Sequence, residues 1–413
     1  MPRLPTSLLR KAYAIDSLLP PLLGPCRDLN SARNELRWLR EHVDKVSRAR
    51  YTKGGSSAKG GLLRTLVRKR VSGGKPIGAP LQYGLGTEYF GDLEIEVRPG
   101  VLIPRPETAA SVTHLTRLVR DARELPTELR ILDLCTGTGC IPLLFHDVFY
   151  SVRSDVELRF LGVDISSKAI ALANRNLQRL RRSKKYVHKG VTEFMLADVL
   201  VNPFADRARR PDEPLPLKSA LNFNKKRVFW DILVSNPPYI SPSAFRTTTA
   251  RSVRGFEPRL ALVPPGEAGR SDTEQGDAFY PMLLVAAIDA EVKIVLLEVA
   301  DLDQAYRVAR MAQGMQVYDG IEIWRDQPDQ AHDGSSQPSS EFPIIGQGNG
   351  RSVLCWRGPG ALWLGKNNGE ASNAGPLVQK PYSELDSVSK PEAVHSSLHP
   401  ESFMQMQGGR RNV

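Results

Sequence analysis

Cysteine is scarce and scattered, with four residues (Cys26, Cys135, Cys140, Cys355) in a chain of 413. That excludes a disulfide scaffold and a cysteine-built zinc site, so no bound metal is expected. Long apolar runs are lacking too. The longest candidate, Pro281–Val299, is interrupted by Asp289, Glu291 and Lys293. It falls short of the roughly 18 uninterrupted apolar residues of a membrane span, and no membrane partner is expected. Apolar residues as such are not lacking. At 41% hydrophobic and 24% charged, the chain is too apolar to be disordered throughout. Its length suggests two or three domains at roughly 150 residues each.

The net charge is +11, and residues 1–90, with 17 Lys/Arg against 6 Asp/Glu, hold all of it. Such a field attracts nucleic acid, an acidic protein or an anionic surface. Residues 1–15 carry Arg3, Arg10 and Lys11 and no acid. They suit either a mitochondrial presequence or an ordinary first helix. Residues 7–23 have one apolar helical stripe, ended or kinked by Pro20 and Pro21. Residues 31–50 repeat the pattern. Lys53–Gly61 reads as a Gly/Ser linker, and 61–71 as a short third helix. We therefore expect a basic helical domain over 1–75.

A β-hairpin linker is expected over 76–105. Residues 87–103 alternate as strands do, and Pro99-Gly100 reads as a turn. From 106 to 365 short apolar runs alternate with amphipathic stretches, the signature of an α/β fold with a mostly parallel sheet. The runs are 130–134, 157–164, 193–198, 230–235 and 292–299. Residues 203–228 and 326–350 read as polar surface insertions, and 366–413 as a disordered tail.

Two segments carry chemistry. The first strand of the α/β region runs into Asp133-Leu-Cys-Thr-Gly-Thr-Gly-Cys-Ile-Pro142. Gly137 and Gly139 fall in a strand-to-helix turn, where glycine lets backbone approach a ligand. The second strand ends in Asp164, where an acid grips a ribose diol in doubly wound folds. It is equally a helix cap, a role Ser166 can fill. The third strand ends in Asp198, placed to flank an adenine. A third glycine is missing, Pro142 standing in its place, which disfavours a dinucleotide. No G-K-[ST] loop is present, which argues against a P-loop nucleotidase. S-adenosylmethionine, whose sulfonium needs no phosphate grip, is the cofactor that remains.

The fourth strand ends in Ser235-Asn-Pro-Pro-Tyr-Ile240. Consecutive prolines stiffen a segment at the carboxyl end of a strand, where α/β folds bind ligands. Asn236 offers a carbonyl oxygen, Pro237 a backbone carbonyl, and Tyr239 a flat ring. Two acceptors side by side suit an –NH2 group whose nitrogen is presented to a methyl donor, catalysis being mostly positioning and electrostatics.

With these residues in hand, the chain resembles the HemK/PrmC family of protein glutamine methyltransferases. The matching segments are PLQYGLGTEYFG (80–91), VLIPRPET (101–108), ILDLCTGTGCI (131–141), VDISSKAIALANRN (163–176), SNPPYI (235–240), FEPRLAL (256–262) and VLLEV (295–299). The resemblance implies a seven-stranded, Rossmann-like class I S-adenosylmethionine-dependent methyltransferase domain behind a small helical domain. It implies methylation of N5 of the glutamine in the Gly-Gly-Gln motif of a class I peptide chain release factor. Cys135, Thr136, Gly137, Thr138, Gly139, Asp164, Asp198, Val199 and Asn236 would line the cofactor. Asn236, Pro237, Pro238 and Tyr239 would hold the substrate amide, with Arg105, Glu107 and Thr108 in the adjoining wall. Asn236, Pro237 and Tyr239 are the catalytic expectation. The chain looks like a fungal mitochondrial form, the cytoplasm being the other location, and the family implies a monomer with no nucleic acid required.

Three departures stand out: Cys135 in place of a family glycine, Phe256 in place of a tyrosine, and a long stretch after Leu262. Two other readings compete. One is a nucleic-acid methyltransferase acting on an exocyclic amine, compatible with NPPY and the basic start. The other is a cofactor-binding assembly factor without activity, which only Cys135 encourages.

Overall fold

The computed structural model describes residues 4–50, 56–71, 79–184, 186–200, 213–267, 269–330 and 340–366. The expected tail, apart from Lys366, lies outside them, as do 201–212 and 331–339 of the two expected insertions and their flanks.

The amino-terminal part is helical: α1 (Thr6–Ile15), α2 (Leu19–Cys26), α3 (Leu29–Arg50) and α4 (Ser56–Val71). They share an apolar core that includes Ala12, Leu19, Leu22, Leu23, Leu36, Leu39 and Leu66. Arg70 on α4 makes a two-pronged pair with Glu35 on α3 at 2.9 and 2.7 Å. Pro20 and Pro21 do not end the first helix, as the spacing suggested; they lie in the first turn of α2. Proline costs nothing there, because the first turn has no helical acceptor for its missing N–H. The break is made upstream by Asp16, which caps α1 and accepts from Leu18 N at 2.8 Å. The Gly/Ser stretch is shorter than expected, since α4 begins at Ser56.

A short α5 (Leu81–Leu85) leads into an antiparallel hairpin of β1 (Thr87–Phe90) and β2 (Leu93–Glu96). The hairpin turn is Gly91-Asp92, and Pro99-Gly100 forms the expected turn after β2, where Val101 N donates to the Arg98 carbonyl at 3.3 Å. Gly91 sits at φ 58°, and a Cβ there would stand 2.7 Å from Leu144 Cδ1. Backbone and packing both demand glycine at that point.

The α/β part follows in chain order as α6 (Pro106–Asp121), β3 (Glu128–Leu134), α7 (Cys140–Tyr150), β4 (Glu157–Asp164), α8 (Ser167–Arg181), β5 (Val191–Leu196), α9 (Leu217–Phe223) and β6 (Ile232–Ser235). Three short helices come next, α10 (Pro242–Thr247), α11 (Arg251–Phe256) and α12 (Asp272–Gly276). The chain then forms α13 (Phe279–Asp289), β7 (Ile294–Glu298), α14 (Leu302–Gly314), β8 (Gly320–Gln327), β9 (Ile344–Ile345), β10 (Gln347–Trp356) and α15 (Pro359–Trp363). The sheet order among the described residues is β5-β4-β3-β6-β7-β10-β8-β9. It is the expected seven-stranded Rossmann-like sheet with a two-residue eighth strand at one edge. The five strands from β5 to β7 are parallel, and β10 runs antiparallel to β7 and β8.

Alternation of side chains places apolar residues on both faces, as a buried parallel sheet requires. Ile131, Ile232 and Leu296 pack with α6 and α7, while Leu132, Leu233 and Leu297 pack with α13 and α14. Part of the expected insertion at 203–228 is built structure. Asp198 bridges to Pro216, and α9 buries Ala220 and Leu221 against the core. Strands β3, β4 and β5 step outward one way, then β6 returns to the other side of β3. The order in which strands are added therefore reverses between β3 and β6, and the crevice at their carboxyl ends is where an open α/β sheet binds its ligand.

Candidate functional site

Two segments meet at that crevice. The glycine turn leaves β3, and Asn236-Pro-Pro-Tyr239 leaves β6. They are fastened at the root, where Ser235 Oγ donates to the Leu134 carbonyl at 2.7 Å.

The glycine turn is a run of left-handed residues: Cys135 at φ 65°, Gly137 at 56° and Gly139 at 76°. A Cβ on Gly139 would press on Phe194 at 2.8 Å, whereas one on Gly137 would enter open space. The first glycine thus faces a cleft and the second packs inward. Thr136 Oγ1 donates to Asp133 Oδ2 at 2.5 Å. Asp133 is fully buried, its Oδ1 has no partner, and burial pushes its acid up to about 8. The hydroxyl of Thr138 is buried without a partner as well. Burial and the neighbouring acids raise the Cys135 thiol, so it stands there protonated.

Asp164 lies at the end of β4. Its Oδ2 accepts from Gly137 N and its Oδ1 from Ser166 N, each at 2.9 Å. It shapes the glycine turn while each oxygen keeps a lone pair for a hydroxyl. The capping alternative belongs to its neighbour: Ser166 Oγ caps α8 by accepting from Ala169 N at 3.4 Å. Asp198 follows β5 and accepts from Leu200 N at 2.8 Å, with Val199 buried between them.

On the other side, Asn236 Nδ2 donates to Thr108 Oγ1 at 3.2 Å, and Thr108 donates to Glu298 Oε2 at 2.5 Å. Tyr239 donates its hydroxyl to Glu298 Oε1 at 3.1 Å. Asn236 Oδ1 and the Pro237 carbonyl accept no hydrogen bond among the described residues. Pro237 and Pro238 are buried. Arg105 lies just before α6 and pairs with Glu257 at 2.7 Å, so its charge is spent on the wall. Glu107 Oε2 is buried without a partner.

The sequence reading did not single out Glu298, Glu257 or Asn176. Glu298 closes β7 at the same carboxyl edge, and burial raises it to about 7. A lone acid ending an apolar strand was its signal. Asn176 ties the hairpin to the glycine turn: it accepts from Glu96 N at 2.8 Å and donates to the carbonyls of Glu96 and Thr138 at 3.1 and 3.0 Å. Nothing local to its helix announces that contact.

No protein-family model matches the chain. The chain is 33% identical over 269 residues to the mitochondrial MRF1 N(5)-glutamine methyltransferase MTQ1 of Saccharomyces cerevisiae, covering 64% of this chain and 68% of that protein. It is 32% identical over 265 residues to the probable MRF1 mitochondrial N(5)-glutamine methyltransferase of Schizosaccharomyces pombe, covering 63% and 73%. The release factor glutamine methyltransferase of Chlorobaculum tepidum is 34% identical over 228 residues, covering 54% and 61%. Among solved structures, the N-terminal domain of human METTL16 in complex with SAH overlays 69% of this chain and 84% of its own at 14% identity and a TM-score of 0.38, too loose to bear on function.

Proposed function

The chain belongs to the release factor glutamine methyltransferase family, and from that membership we propose that it methylates the side-chain amide nitrogen of glutamine in the Gly-Gly-Gln motif of a mitochondrial class I release factor. The observation that carries this reading is the pair of unengaged acceptors, Asn236 Oδ1 and the Pro237 carbonyl, beside the glycine turn. They suit the two N–H bonds of a primary amide.

The residues of the turn fit S-adenosylmethionine. Gly137 opens onto free space, the Thr138 hydroxyl lacks a partner, and Asp164 has lone pairs to spare. Cys135, Thr136, Gly137, Thr138 and Gly139 would line its methionine part, Asp164 its ribose, and Asp198 with Val199 its adenine. When bound, it supplies an electrophilic methyl group and nothing else.

The chain's own groups do the rest. An amide nitrogen is a poor nucleophile because its lone pair is delocalised into the carbonyl. As the bond to carbon forms and the methyl–sulfur bond breaks, the nitrogen must shed one proton, which leaves to solvent, and two carbonyl acceptors on its N–H bonds draw away the positive charge that develops on it. That charge exists only in the transition state, so the interaction lowers the barrier rather than merely binding. Pro237 and Pro238 keep the acceptors rigid, which avoids reorganisation during reaction. Tyr239, anchored through its hydroxyl to Glu298, has its ring fixed for packing on the amide plane. Arg105 and Glu107 belong to the wall along which the substrate loop would lie.

The names of the two fungal relatives support the mitochondrial assignment. The basic helical part supports a docking role on the release factor. The test is tandem mass spectrometry of the Gly-Gly-Gln peptide after incubating the full chain with S-adenosylmethionine and a mitochondrial class I release factor. One added methyl on glutamine is expected. Asn236→Ala should reduce the rate by about 100-fold or more while still binding cofactor. Full activity in that variant would refute the mechanism.

A further inference from the structure

An asparagine amide has two different ends, an acceptor oxygen and a donor NH2. The methyl-transfer reading needs Asn236 to present its oxygen to the substrate. Two buried side chains decide which end it presents.

Thr108 stands between Asn236 and Glu298, 3.2 Å from Nδ2 and 2.5 Å from Oε2. A hydroxyl owns a single hydrogen. A carboxylate is the stronger acceptor, because the bond to it is charge-assisted. The hydrogen of Thr108 therefore points at Glu298, and only lone pairs face Asn236. The sole end of Asn236 that satisfies them is NH2. Thr108 is 5% and Glu298 4% exposed, so bulk water does not compete for their pairing. The far end of the relay is pinned as well. Tyr239 donates to the other carboxylate oxygen, and above the raised range near 7, where Glu298 is ionised, both of its oxygens accept.

We propose that Thr108 and Glu298 are the specificity-setting pair of this site: by locking Asn236 with Oδ1 toward the substrate, they make it accept the amide of glutamine and refuse the carboxylate of glutamate. Glutamate has the same shape as glutamine, so sterics cannot separate them. A carboxylate placed here would confront two acceptors, Asn236 Oδ1 and the Pro237 carbonyl, with no hydrogen between them. Rejection by unpaired, repelling groups is how a site discriminates isosteres. Without the Thr108 hydroxyl, the Asn236 amide is free to turn over and offer NH2 to a carboxylate.

The inference rests on the methyl-transfer reading above, and the test separates the two. Equilibrium binding is measured, with S-adenosylhomocysteine present, between the full chain and a mitochondrial class I release factor carrying either Gly-Gly-Gln or Gly-Gly-Glu. Contacts elsewhere on the two proteins cancel in the ratio. Wild type should prefer glutamine by about tenfold or more. Thr108→Val, which keeps shape and removes the hydroxyl, should bring the ratio to within about threefold. Thr108→Ser, which restores the hydroxyl, should keep the wild-type ratio. S-adenosylhomocysteine affinity monitors folding, and Thr108→Ala repeats the test if valine lowers it. A wild-type ratio retained in the variants lacking the hydroxyl would overturn the relay alone. A wild-type chain that methylates no release factor would overturn the reading beneath it, and the relay with it.

Discussion

Arg105 and Glu257 meet at 2.7 Å across 152 residues of chain, and through that contact the segment before α6 is clasped to the segment after α11. Glu257 Oε2 also accepts from Ile103 N at 3.0 Å. The carboxylate is 1% exposed and the guanidinium 29%. The pair thus joins two walls of the site rather than decorating its surface.

Removing Arg105 leaves a buried carboxylate with one remaining donor, and loss of one partner from a buried pair is costly. Arg105→Met should destabilise the fold by about 3 kcal/mol, read from urea unfolding. Arg105→Lys should recover part of it, since a point charge replaces a fork. An unchanged urea midpoint in Arg105→Met would show that the pair contributes nothing to stability.

Asp133 predicts a pH dependence. The unfolded chain loses this proton near 3.8 and the folded protein near 8. Between those values the folded state binds more protons, so stability falls as pH rises through the window. Glu298, raised from 4.5 to about 7, acts in the same direction. Asp133→Asn keeps an acceptor for Thr136 and removes the acid. Its melting temperature should match wild type near pH 4 and exceed it by roughly several degrees near pH 8. A difference that stays constant with pH would contradict the buried acid.

Cys135 holds a left-handed backbone conformation, φ 65°, that a side chain disfavours by about 1–2 kcal/mol. Glycine relieves that strain but loses more entropy on folding. Cys135→Gly should therefore be neutral or stabilising by up to about 1 kcal/mol, and Cys135→Val destabilising by about 2 kcal/mol. Because burial holds the thiols of Cys26, Cys135, Cys140 and Cys355 above their ordinary range, Ellman's reagent should modify none of them quickly at pH 8 until denaturant is added.

Helix α1 belongs to the helical core: Ala12 is fully buried, and Leu8 and Leu9 pack beside it. Deleting residues 1–15 should expose the apolar surface they cover and cost about 2 kcal/mol or more, seen as an earlier thermal transition. An identical transition would mean the segment is dispensable, as a cleaved presequence would be.

The sequence was most legible where the physics is local. β4 spans the residues its apolar run marked, because a buried parallel strand is a continuous apolar stretch ended by polar residues. The NPPY segment stood out because consecutive prolines end any strand. Pro20 and Pro21 were misplaced because proline is compatible with both the end and the first turn of a helix. Only the upstream Asp16 cap distinguishes these cases. Pro99-Gly100 was legible as a turn, whereas the pairing of β1 with β2 across Gly91-Asp92 was not, because glycine and proline mark turns without saying which strands they join.

The amino-acid sequence by itself determined the α/β class, the glycine turn, and the places of Asp164 and Asn236 at the ends of their strands. Each follows from residue type and position in a single element. Only the tertiary structure decided that Thr108, 190 residues away from Glu298, becomes the link between that acid and Asn236. It likewise decided that Arg105 reaches Glu257 and that Asn176 couples the hairpin to the glycine turn. Those contacts depend on the order of strands in the sheet, which is set by the burial of whole faces and leaves no mark on local periodicity.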